Sequence, residues 1–144
     1  RKFVLLDNGL YLTYYGDKQL FFLNDPRNLD QVNLNFDINF IRNGGFIHLS
    51  FDPSEINSPT TLLFYENLVS VLGENRVDVA CNKKSEVCFD LPFKTCSDID
   101  LFNSVIVLSK GDDNISYNNK CLTLVSNNLN IYMDKILIEL IGNG

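Results

Sequence analysis

The sequence has no tryptophan, one methionine (Met133) and one histidine (His48). A single histidine and the lack of any Cys-x-x-Cys pair leave too few ligands at usable spacing for a zinc site. No glycine-rich phosphate loop and no Gly-x-Ser-x-Gly nucleophile elbow is present. EF-hand spacing is missing as well. No apolar run approaches the roughly 20 residues that a helix needs to span a bilayer. Basic charge is scarce. Twelve Lys and Arg stand against 18 Asp and Glu, a formal net charge of −6. Nucleic-acid binders carry a basic face, so a phosphate backbone is not the expected partner. A broad electrostatic grip on anionic lipid is disfavoured for the same reason.

What is present suits one globular domain spanning residues 1–144, long enough to bury a core. Hydrophobic residues make up 45% and charged residues 21%, ordinary values for a folded chain. The chain opens on Arg1-Lys2 and a strand-like stretch, so no leader is expected. Asparagine is frequent, and no function is read from it.

Short apolar runs at 2–6, 10–15 and 20–23 are separated by Asp7-Asn8-Gly9 and Gly16-Asp17 and ended by Asn24-Asp25-Pro26, which reads as strands and turns. Val32, Leu34, Phe36, Ile38 and Phe40 alternate with Asn33, Asn35, Asp37 and Asn39. That period of two predicts a strand with one buried face. Asn43-Gly44-Gly45 then predicts a hairpin into Phe46–Phe51. Further strands are expected near 75–81, 86–91, 103–109 and 115–125.

Two segments read as helices. Ser58 suits a cap, Pro59 a first helical position and Gly73 a position past the end. Between them Leu62, Tyr65, Leu68, Val69 and Leu72 fall at helical spacing, against β-branched residues that favour a strand. Near the C-terminus, Leu129, Tyr132, Met133, Ile136, Leu137, Leu140 and Ile141 form one apolar face. Ser126 or Asn127 suits its cap and Gly142 its end. The expected fold is therefore mainly β (α+β). It is an antiparallel β-sandwich or bent barrel of about 7–9 strands, with a C-terminal helix and an internal helix near 59–72.

The four cysteines, Cys81, Cys88, Cys96 and Cys121, are either reduced thiols or two disulfides. A hairpin of 75–81 and 86–91 turns Cys81 inward and Cys88 outward. The expected bridges are then Cys81–Cys121 and Cys88–Cys96.

Candidate chemistry is sparse. His48 faces outward if Ile47, Leu49 and Phe51 face the core, and a catalytic role is not expected of it. Asp98 and Asp100 share a face if they lie on a strand, a weak cation site. Asp112-Asp113-Asn114 reads as a polar turn. Asn114-Ile115-Ser116 is a glycosylation sequon, a pattern that chance alone also produces. No cofactor is implied, and no enzyme activity is expected.

Two stretches resemble a pleckstrin-homology domain. Arg1-Lys2-Phe3-Val4-Leu5-Leu6, a turn, and Leu10-Tyr11-Leu12-Thr13-Tyr14-Tyr15 are similar to that family's basic second strand and its third strand. Cys121-Leu122-Thr123-Leu124-Val125-Ser126, running into the last helix, is similar to its final strand and closing helix. The family's signature tryptophan would fall near Met133 and is absent. Its first strand would precede Arg1. The resemblance implies a cytoplasmic binding module, peripheral to a membrane, that docks to a phospholipid headgroup or a protein partner. By position it implies Arg1 and Lys2 as ligand-binding residues, with Lys18 and Arg27 on the neighbouring loop. The other reading is an extracellular, disulfide-bonded β-sandwich of a surface, adhesion or membrane-fusion protein. The clustered cysteines favour it, while the terminal helix and the opening motif favour the first.

Overall fold

Phe46–Phe51 and Asn103–Ser109 carry bulky or small residues on both faces and almost no charge. Such runs suit strands covered on both sides, as in parallel sheets. In the computed structural model, which describes residues 1–43 and 45–142, they are inner strands of the larger of two sheets. The fold is mainly β with an α+β mixture; among the described residues there are eight strands and no closed barrel.

Three strands form the smaller sheet: β1 (Val4–Leu5), β2 (Tyr11–Tyr15) and β3 (Lys18–Phe22). They are antiparallel and joined by tight turns, as the Asp7-Asn8-Gly9 and Gly16-Asp17 signals predict. The larger sheet contains β4 (Phe46–Phe51), β5 (Val77–Cys81), β6 (Asn103–Ser109), β7 (Asn114–Asn118) and β8 (Cys121–Val125). Its order is β5-β4-β6-β8-β7. The first four in that order run parallel, and only β7 is antiparallel, paired with β8. The antiparallel expectation thus holds for the small sheet and fails for most of the large one. Parallel neighbours need long crossovers. Here these are the helix α2 (Pro59–Leu72), the connection 82–102 and the β7 detour.

α2 forms as expected. The Ser58 hydroxyl accepts the Thr60 N–H, Pro59 opens the helix, and Gly73 donates back to the Val69 carbonyl. Its buried face is Thr61, Phe64, Asn67 and Leu68, while Leu62 is exposed. A short helix α1 (Asn39–Asn43) precedes β4. The closing helix α3 (Leu129–Ile141) buries Leu129, Met133, Ile136, Leu137, Leu140 and Ile141. Neither Ser126 nor Asn127 is its cap residue. Asn128 is, and Ser126 Oγ accepts the Asn128 N–H instead.

α2 and α3 pack on one face of the large sheet. Ile47, Leu49, Phe51, Ile106, Leu108, Leu122 and Leu124 meet Phe64, Leu68, Met133 and Ile136 there, and Leu20 and Phe22 of β3 join the same core. Near-complete burial of a side chain of this size is worth about 1.5–3 kcal/mol, so this one cluster carries the fold.

Two expected strands do not form. Residues 32–38 are loop despite their alternation. The polar partners explain it. Asn33 Oδ1 accepts the Asn35 N–H at 3.0 Å, Asp37 Oδ1 accepts the Asn39 N–H at 2.9 Å, and Asn35 adopts φ +58°. Such local side-chain bonds compete with a ladder. The hairpin into β4 is absent too, because β4 is paired by β5 and β6 on both edges. Gly44 of its expected turn lies outside the described residues. Near 86–91 the chain forms a 3₁₀ turn, Glu86–Cys88, capped by Ser85. The 115–125 segment splits into β7 and β8 at Asn119 and Lys120, both with positive φ.

Candidate binding site

Loss of the 86–91 strand changes the cysteine pairing. The bridges are Cys81–Cys88 and Cys96–Cys121. Cys81 on β5 and Cys121 on β8 have β4 and β6 between them. That is about 14 Å at the usual strand spacing, beyond the roughly 7 Å that a disulfide spans between Cα atoms. Cys81–Cys88 instead ties off a short loop. Cys96–Cys121 pins the 82–102 connection to the sheet face opposite the helices.

The same face holds His48. Ile47, Leu49 and Phe51 do face the core, and His48 points the other way. It is nonetheless buried, beside the Phe46 ring, with Nδ1 2.7 Å from Asp78 Oδ1 on β5. Two rows away Ser50 Oγ donates to the Lys94 carbonyl at 2.6 Å. Asp78 is not visible as a partner in the sequence, because only parallel pairing of residues far apart brings it to His48.

Of the candidate basic residues, Arg1 and Arg27 line one cleft of about 350 Å³ with Phe3, Leu5, Tyr11, Asp25 and Pro26. Lys2 and Lys18 are exposed and do not line it. Both cleft arginines are engaged. Arg1 donates to the Tyr14, Ile141 and Gly142 carbonyls at 2.6, 3.1 and 3.3 Å. The last two belong to the C-terminal end of α3, where a cation complements the helix dipole. Arg42 does the same from the other side, at 2.6 Å to Glu139 O and 3.0 Å to Leu140 O. Arg27 grips Asp25 through Nη2 at 2.6 Å and Nε at 3.0 Å. Hydrogen bonds from Arg27 hold the Asp25 carboxyl below its ordinary pKa.

In open parallel sheets, ligands favour the crevice where strand order reverses. Here that point lies beyond the carboxyl ends of β4 and β6. It is knitted shut. Asp52 N donates to Leu108 O, Asn82 N to Phe51 O, and Asn82 Nδ2 to Ser109 Oγ. Lys83 pairs with Asp52 at 3.3 Å and Lys110 with Glu55 at 3.4 Å. Bonds from Ser54, with Lys83 adding to them, lower the Asp52 pKa.

Asp98 and Asp100 do not share a strand face. Asp98 accepts the Thr95 N–H in a capping box, and Asp100 accepts from Phe102 N and Asn103 Nδ2. Asp113 holds the Ser126 and Tyr132 hydroxyls at 2.7 and 3.1 Å. Among the described residues no three His, Cys, Asp or Glu side chains are placed to hold a metal ion. No described helix is long and apolar enough to cross a membrane.

The loop tied by Cys81–Cys88 has a different character. It presents Val87; Phe89 comes directly after Cys88, and Phe93 follows on the stretch that returns to Cys81 through Cys81 N–Pro92 O and Lys94 N–Cys81 O bonds. Phe89 is 89% exposed, the largest value among the big apolar side chains.

No family model, curated protein or solved structure matches the chain. None of these comparisons identifies a pleckstrin-homology-like domain. The stretches that carry that resemblance fall in separate sheets, 4–15 in the antiparallel one and 121–125 in the mostly parallel one.

Proposed function

We propose that this chain is a binding domain of a secreted or surface-exposed protein, and that it docks a protein partner through Val87, inside the loop closed by Cys81–Cys88, and Phe89 and Phe93, which follow that loop. The carrying observation is Phe89, an aromatic side chain left almost fully in water next to Cys88, which the Cys81–Cys88 bridge anchors. Exposed aromatics on rigid supports bind cheaply, since little conformational entropy remains to be lost. The two disulfides support an oxidising compartment. A lipid-headgroup role finds less support, because Arg1 and Arg27 are already spent on helix carbonyls and on Asp25.

The first test is a thiol count on non-reduced, unfolded protein recovered from its producing cells. Zero free thiols is expected, and four would sink the compartment reading. The second immobilises wild type, Val87→Asp and Phe89→Asp and challenges each with extracellular proteins of the source. A protein captured by wild type and lost by both variants, with disulfides and Tm intact, is the expected result. Equal capture by all three removes the loop from the reading. Co-sedimentation with phosphoinositide liposomes that is lost in Lys2→Glu would move the function to lipid docking.

A further inference from the structure

We infer that Asn114 is an N-glycosylation site, and that its glycan shields the β7 edge of the large sheet. Three observations converge on it. First, Asn114-Ile115-Ser116 is the only Asn-x-Ser/Thr in the sequence that lacks proline at the middle position, although asparagine is frequent. Second, the sequon sits where a glycan fits. Asn114 is the first residue of β7, directly after the Gly111–Asp113 turn, and both Asn114 and Ser116 are exposed. Alternation along the strand puts their side chains on one face, while Ile115 packs toward the core. The Asn114 amide makes no side-chain hydrogen bond among the described residues. The turn that presents it is held from behind, because Asp113 is fastened to Ser126 and Tyr132. Third, the two disulfides belong to the compartment in which this modification is made.

The placement has a physical consequence. Among the described residues β7 pairs only with β8, and no described strand pairs with its outer edge. Exposed edges template association with other chains unless they are covered. β7 lacks the charge and proline that usually blunt such an edge. A bulky, hydrated glycan at its first residue supplies that cover.

The group transferred is an oligosaccharide, and its donor is a lipid-diphosphate-linked oligosaccharide. Asn114 Nδ2 forms a bond to the anomeric carbon and loses one amide proton to a base. The bond from that carbon to the diphosphate oxygen breaks, and the lipid diphosphate leaves with the electron pair.

The inference rests on the oxidising-compartment part of the proposed function, and the experiment separates the two. The chain is secreted from eukaryotic cells behind a cleavable signal, alongside Asn114→Gln, Ser116→Ala and Ser116→Thr. Intact mass is read before and after peptide N-glycosidase, together with a free-thiol count. One glycan on wild type and Ser116→Thr, and none on Asn114→Gln and Ser116→Ala, is expected. Enzymatic release should leave aspartate in place of Asn114 in the peptide mass. Secreted wild type with no free thiols and no glycan overturns this inference alone. Retained protein with free thiols overturns the compartment reading and this inference together. A glycan that persists in both Asn114→Gln and Ser116→Ala places it elsewhere and also overturns the assignment.

Discussion

Asn67 on α2 takes the place of a partner strand for Phe21 on β3. Its Oδ1 accepts the Phe21 N–H at 3.2 Å, and its Nδ2 donates to the Phe21 carbonyl at 2.7 Å. One buried side chain thereby satisfies both backbone groups of an edge residue. Asn67→Leu keeps the volume and orphans both groups. An unsatisfied buried donor or acceptor costs about 1–3 kcal/mol, so for two groups the expected loss is roughly 2–6 kcal/mol by urea denaturation. A loss below about 0.5 kcal/mol would mean that water replaces the bonds freely.

Asp134 makes stability depend on pH in an unusual direction. It is buried on α3, where its Oδ2 accepts from Leu23 N, Asn24 N and Asn24 Nδ2. Burial outweighs these bonds and pushes its pKa up to about 6. A raised folded-state pKa favours the folded protein when the group is protonated. This contribution is full below pH ~4 and is lost as pH rises through ~6. Asp134→Asn keeps an acceptor and removes the charge. The variant should be more stable than wild type above pH ~6, by about 2–3 kcal/mol, and the gap should close below pH ~4. Asp52 and Asp100, whose pKa values are lowered, act with the opposite sign but equally in both proteins. A gap that is constant between pH 4 and 7 contradicts the assignment.

Gly45 stands where the start of β4 meets Phe102. A Cβ at this position would collide with the Phe102 carbonyl oxygen, which also accepts the Phe46 N–H at 2.7 Å. Backbone cannot swing aside as a side chain can. Gly45→Ala should cost about 1–3 kcal/mol or more, read as a lowered Tm with unchanged far-UV circular dichroism at 20 °C. An unchanged Tm would show that the β4–β6 pairing starts later than Phe46.

The two disulfides should differ in worth. Cys96–Cys121 closes 25 residues and Cys81–Cys88 closes seven. Loop-closure entropy gives about 3.5 kcal/mol for the longer and about 2.5 kcal/mol for the shorter. Paired Ser substitutions should rank in that order by denaturant midpoint. The reverse order would place the stabilisation in the folded loop around Phe89 rather than in the unfolded chain.

Signals confined to one segment were readable. Ser58-Pro59 and Gly73 bracket α2, and the stripe from Leu129 to Ile141 marks α3. Asn-Gly and Gly-Asp turns mark the first three strands. What escaped depends on partners far along the chain. Nothing local says that β4 runs parallel to both β5 and β6, and without that neither the His48–Asp78 pair nor the cysteine pairing follows. Alternation at 32–40 misled because Asn33, Asn35 and Asp37 bond their own backbone. The buried face of α2 includes Thr61 and Asn67, polar residues with partners in other elements (Glu55 O and Phe21). Of the candidate site, Arg1 and Arg27 do meet in one cleft, but their commitments to α3 and Asp25 have no signature in spacing.

The small sheet is held to the rest through few elements. Its strands pair only with their sequence neighbours, whereas every parallel pair of the large sheet joins residues at least 16 apart in sequence. Local hairpins close quickly, and parallel pairs wait for their crossovers. The small sheet is fastened to the rest by Leu20 and Phe22 in the shared core and by bonds to Asn67, Asp134 and Arg1 at its borders. In native-state hydrogen exchange, the amides of residues 4–22 should open together at a lower free energy than those of β4 and β6.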